Sequence, residues 1–157
     1  QNITNLLQYQ RRMGFRPLLN ESIKIERNGQ FIRLAGVENW GAGGFSKYGD
    51  LPKAMEQVED GAFTVLLSHD PSHFSEQVQH FPLNIHLTLS GHTHGMQYGI
   101  EIPGLRWSPV KFRYPTWAGA YGSGSRKIYV NRGFGFIGFR GRVGIWPEIT
   151  QITLRRG

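Results

Sequence analysis

The sequence predicts an α/β fold, and two patterns carry that expectation. Alternating residues on both sides of Asn28-Gly29 mark a β-hairpin, because this pair favours the type I′ turn whose twist matches the strands it joins. Further along, two apolar runs of strand length, residues 63–67 and 85–89, flank a short helical stretch at 73–80. Strand, helix, strand in that order is a unit of α/β architecture.

The elements follow in order. Ile3, Leu6, Leu7 and Met13 approximate helical spacing, and Arg11-Arg12 and Gly14 supply a basic last turn and a terminating glycine. Residues 2–13 therefore predict an amphipathic helix whose apolar face needs covering. The hairpin pairs Ser22–Arg27 with Gln30–Ala35. Glycines 41, 43 and 44 form a loop, and Asp50 then caps a short helix through about Val58, with Pro52 tolerated in its first turn. The strand at 63–67 ends in Ser68-His69-Asp70-Pro71, and that at 85–89 in Ser90-Gly91-His92-Thr93-His94. Residues 99–126, rich in Gly, Pro, Ser and aromatics, predict a long loop around a site. Strands are expected at 127–130, in part of 133–140, and at 147–154.

The 157 residues fit one domain, and 39% hydrophobic with 18% charged residues is a globular composition. No run of eighteen apolar residues occurs, so the chain as it stands is expected to be soluble. It opens on Gln1 inside a predicted helix, which suggests an excerpt of a longer protein. With no cysteine, disulfides, thiolate metal sites and a cysteine nucleophile are excluded. The formal charge of +7 favours phosphate-bearing partners without choosing among them. It is spread along the chain, as on a solvated basic face.

All six histidines fall between His69 and His94. His69, His92 and His94 stand just past the C-terminal ends of strands, where open α/β sheets place their ligands. Gly91 and Gly95 bracket His92-Thr93-His94 and permit unusual backbone angles, so the imidazoles can converge on metal. His86 reads as a core or cross-strand residue. His73 and His80 fall on the intervening helix, from which His73 can reach the site as a supporting or substrate contact.

At these residues the sequence resembles the calcineurin-like metallophosphoesterases, in particular the bacterial branch with membrane-associated phosphoesterases and UDP-diacylglucosamine pyrophosphatases. The ordered elements are Leu66 to Pro71, Leu89 to Gly95, Tyr129 to Gly135 and Pro147 to Thr150. The resemblance implies the C-terminal half of a four-layer α/β/β/α sandwich, with a mixed sheet and flanking helices. It implies two divalent metals, Mn, Fe, Zn or Mg, about 3.5 to 4 Å apart. His69 and His92 would bind one and His94 the other, and a bridging hydroxide would attack a phosphomonoester, phosphodiester or pyrophosphate. Arg132 and Arg142 are candidate phosphate contacts, with a surface role as the competing reading. The implied localisation is cytoplasmic or membrane-associated, with a phosphorylated, sometimes lipid-linked, substrate.

The family's Asp-x-His, Gly-Asp-x-x-Asp and Gly-Asn-His motifs are absent. Gly49-Asp50-Leu51-Pro52-Lys53 is no substitute, because Lys53 fills the last place and the order is wrong. Three neutral ligands without a carboxylate predict partial or no metal occupancy and little activity, with the catalytic histidine lying elsewhere. The missing half of the domain would be a partner, and self-association or a rearranged fold would follow from its absence. Two alternatives remain open. One is a mononuclear zinc hydrolase using the same three histidines. The other is a nonenzymatic basic module for nucleic acid or anionic membrane, based on the charge and on Trp107, Phe112, Tyr114, Trp117 and Tyr121 among Arg106, Lys111 and Arg113. As a partner of the hydrolase, nucleic acid is disfavoured.

Overall fold

A computed structural model describes residues 3–41, 44 and 46–155 of the chain. Asn2, Gly43 and Arg156, which belong to the predicted helix, loop and basic face, lie outside them. The elements are α1 (Ile3–Arg12), β1 (Glu21–Arg27), β2 (Gln30–Gly36), α2 (Leu51–Met55), β3 (Thr64–Leu67) and α3 (Ser72–Glu76). There follow β4 (Leu87–Ser90), β5 (Ile100–Ile102), β6 (Leu105–Trp107), β7 (Gly119–Ser123) and β8 (Arg126–Val130). The fold is α/β, as the patterning predicts.

Six strands make one mixed sheet in the order β1-β2-β3-β4-β8-β7. The outer pairs β1-β2 and β7-β8 are antiparallel, while β2, β3, β4 and β8 run parallel. The first hairpin turns at Asn28 and Gly29, whose φ values of 53° and 72° are those a type I′ turn demands. Helix α2 begins where Asp50 accepts the Lys53 N–H at 3.0 Å.

One face of the sheet is closed. Ala35, Leu66, Ile128 and Val130 project onto Leu51 and Met55 of α2, Phe74 of α3 and Val78, forming the main core. The other face has no comparable layer among the described residues. Register places Leu34, Val65 and Leu87 in one row across it and Leu67, Leu89 and Tyr129 in the next. Ile25 at 43% and Leu67 at 38% are exposed there. Helix α1 buries none of its residues. No helix among the described residues is long and apolar enough to cross a membrane.

Two expectations need correction. Residues 99–126 hold the antiparallel β5-β6 hairpin and the edge strand β7 rather than an unbroken loop. These strands are three to five residues long and β7 is glycine-rich, too short for a periodic signal. Conversely, 133–140 and 147–154 form no strand. Strand β8 already has β4 on one side and β7 on the other, so neither stretch has a free ladder beside β8. Polar side chains satisfy parts of these stretches instead.

Candidate functional site

Parallel pairing of β3 with β4 brings the two histidine motifs together. Leu67 lies beside Leu89 in register, and the ladder continues past both strands. Ser68 N–H donates to the Leu89 carbonyl and Gly91 N–H to the His69 carbonyl, each at 3.0 Å. The His69 and His92 rings consequently meet edge to face, with centroids 5.0 Å apart.

Beyond Gly91 the chain turns sharply. His92, His94, Gly95, Met96 and Gln97 all adopt positive φ, between 50° and 67°. Four of the five carry side chains, for which this conformation is strained and persists only when neighbours enforce it. Thr93 Oγ1 donates to the Trp117 carbonyl at 2.8 Å, and Ser108 Oγ donates to the Gly95 carbonyl at 2.8 Å. Arg142 donates to the His94 carbonyl at 3.1 Å. At Gly95 a Cβ would sit 2.9 Å from Ile145 Cγ2, so both space and angle call for glycine.

Burial favours the neutral form of the His69 and His94 imidazoles, the form that can ligate metal. Desolvation lowers the pKa of His69, and His92 and His94 add to this while Asp70 opposes it. For His94, burial is again the first cause, followed by Arg142 and His92. His94 Nδ1 is buried without a hydrogen-bond partner, as is Ser90 Oγ at the end of β4. An orphaned imidazole nitrogen two residues beyond His92 marks an incomplete donor set.

The donor set is incomplete in a second sense. Among the described residues, no three His, Cys, Asp or Glu side chains lie close enough together to hold a metal ion. Asp70, the nearby carboxylate, has its Oδ1 engaged, accepting from Ser72 N–H and Oγ at 2.9 and 2.8 Å. His69, His92 and His94 therefore do not by themselves make a complete metal site among the described residues.

The remaining candidates are placed as follows. His73 is fully buried, bonded at 2.8 Å to Ser68 Oγ and to Gln77 Oε1, and stacked on Trp40. His86 accepts the Thr64 N–H through Nδ1 and stacks on Phe63, and His80 is exposed. Arg132 is clamped between Glu148, at 2.7 Å, and Glu101. Arg142 donates to the carbonyls of His94, Arg132 and Gly135. Both arginines thus hold the loops around the histidines, although the buried Nε of Arg142 has no hydrogen-bond partner.

Tyr114 is the site neighbour that sequence reasoning missed. Its hydroxyl lies 2.9 Å from His92 Nε2, and burial raises its pKa, keeping it a phenol. Its only signal was membership of the aromatic stretch.

Comparison with known proteins bears on these histidines. The chain is 37% identical over 106 residues to YkuE of Bacillus subtilis (strain 168), an uncharacterized metallophosphoesterase, covering 68% of this chain and 36% of that protein. It is 32% identical over 154 residues to a transmembrane protein with metallophosphoesterase domain of Bos taurus, covering 91% and 33%. It is 28% identical over 141 residues to the phosphodiesterase YaeI of Escherichia coli (strain K12), covering 90% and 48%. The chain spans about a third of the length of the first two relatives. No family model matches it, and no solved structure matches it significantly.

Proposed function

Because this chain belongs to the calcineurin-like metallophosphoesterases, we propose that His69, His92 and His94 are its contribution to the dinuclear metal site of a phosphoester hydrolase. The observation that carries the reading is the meeting of His69 and His92 at the ends of adjacent parallel strands, with the buried Nδ1 of His94, two residues further on, left unpartnered. Bound divalent metals would supply Lewis-acid polarisation of a phosphoryl oxygen. The part of this chain is to present neutral imidazoles and to fix them: Tyr114 orients His92, and Thr93, Ser108 and Arg142 hold the strained loop.

A complete four-layer sandwich would lay a second sheet over the open face described above, and the carboxylate ligands would come from that half. The chain by itself is then expected to bind Mn or Zn weakly and to leave bis(p-nitrophenyl) phosphate intact. Titration calorimetry with each metal, beside a hydrolysis assay, tests this. His94→Ala should weaken whatever binding is seen by at least about tenfold. Tight binding of a single zinc, with hydrolysis abolished by His94→Ala, would instead establish a mononuclear three-histidine enzyme. Metal binding unaffected by His94→Ala would remove the site assignment.

A further inference from the structure

Residues 133–141, Gly-Phe-Gly-Phe-Ile-Gly-Phe-Arg-Gly, fold with part of their backbone held inward and their large side chains in solvent. The buried Gln97 amide accepts from the Ile137 N–H and donates to the Phe139 and Gly141 carbonyls, at 3.0 and 2.6 Å. Arg142 donates to the Gly135 carbonyl at 2.8 Å. With these polar groups satisfied from beneath, Phe134, Phe136, Ile137 and Phe139 are 75, 58, 68 and 47% exposed. Four large apolar side chains within six residues form a patch of the kind that marks a contact surface.

Charge indicates what it contacts. Arg140 is exposed in the same loop, and Lys111 and Arg113 are exposed around the single turn at Pro109–Phe112, next to Phe112 at 79%. Ser108 ties that turn to Gly95, and Gln97 and Arg142 tie residues 135–141 to the same histidine loop. Few acids offset these cations, Glu76 of α3 lining a cavity together with Arg113. From Gln77 to the C-terminus the only ones are Glu101 and Glu148, against ten Lys and Arg, and both are bound to Arg132.

A patch of apolar side chains with exposed cations complements a surface that is anionic outside and hydrocarbon beneath. We propose that the 133–141 loop, with the turn at 109–112, docks on an anionic lipid bilayer. The phenylalanines enter the headgroup boundary while Arg140, Lys111 and Arg113 stay at phosphate level. Single-stranded nucleic acid is the weaker fit, since its platforms stack bases over a basic groove, whereas this patch includes aliphatic Ile137 and carries one cation within the loop. The docking surface does not depend on the hydrolase reading.

Co-sedimentation of the purified protein with vesicles tests it, comparing phosphatidylcholine alone with phosphatidylcholine containing roughly one-third phosphatidylglycerol. Binding to the anionic vesicles should weaken with salt. It should fall about tenfold or more in a Phe136→Ser/Phe139→Ser variant and about fivefold or more in Arg140→Glu. Ile25→Ser, on the open sheet face, should leave it unchanged, and matched thermal unfolding would show that all variants fold. Equal binding to neutral vesicles, undiminished binding by both loop variants, loss of binding in Ile25→Ser, or retention only on a single-stranded oligonucleotide would each overturn the proposal.

Discussion

Glu148 receives donors from Tyr129 Oη, Thr150 Oγ1 and the Arg132 side chain and backbone. Burial pushes its carboxyl up, but these hydrogen bonds outweigh it and hold the pKa down at about 2, against an ordinary 4.5. A carboxylate depressed by folding stabilises the protein above its unfolded pKa and loses that contribution as pH falls toward its folded one. The denaturant midpoint should therefore drop between pH 4.5 and about 2. Glu148→Gln should flatten that dependence and cost about 2 kcal/mol at neutral pH, after discounting for partial solvent screening. An unchanged acid profile would show that the carboxylate is not held in this way. His69, His92 and His94 were legible because each stands in a short motif at a strand end. Tyr114 and Gln97 were not, since their partners lie 22 and about 40 residues away and no local pattern encodes such contacts.

At the level of elements, the hairpin shows how much a dipeptide can decide. Gly29 sits at φ 72° with no atom within 4 Å of an added Cβ, so replacing it tests conformation alone. Gly29→Ala should destabilise the protein by about 1 to 2 kcal/mol in urea denaturation, the cost of a left-handed angle for an L residue; no effect would mean a different turn. The central strands β3 and β4 were equally readable, because apolar runs between turn signals need only neighbours to pair with. The stretches at 133–140 and 147–154 share the strand-like composition and are not strands. A strand exists only as part of a ladder, and within the described residues none is open to them beside β8. The reverse holds for β7, whose sequence Gly119-Ala-Tyr-Gly-Ser123 has weak intrinsic preference but is held by five register pairs to β8.

Taken as a whole, the molecule has one finished face and one open one. The closed face buries Leu66, Ile128 and Val130 completely, while the other leaves Leu67 in solvent, as well as Ile25, which lines a groove of 820 Å³ with Phe31, Phe63 and Leu154. Helix α1 adds exposed Ile3, Leu6 and Tyr9. Surface of this kind, with β1 and β7 as sheet edges, favours association. Sedimentation velocity should show concentration-dependent oligomers of the isolated chain, reduced by Ile25→Lys; a strict monomer would show that the open face is tolerated. Sequence by itself determined the α/β class, the hairpin and its turn, the helix cap at Asp50 and the motifs carrying three candidate ligands, because each depends on spacing within a few residues. Only tertiary structure decided that His69 meets His92, that Asp70 Oδ1 is taken up by Ser72, and that Arg132 binds Glu101 and Glu148 while Arg142 binds loop carbonyls. Those outcomes depend on which strands become neighbours and which polar groups compete for each donor, and distance along the chain does not specify either.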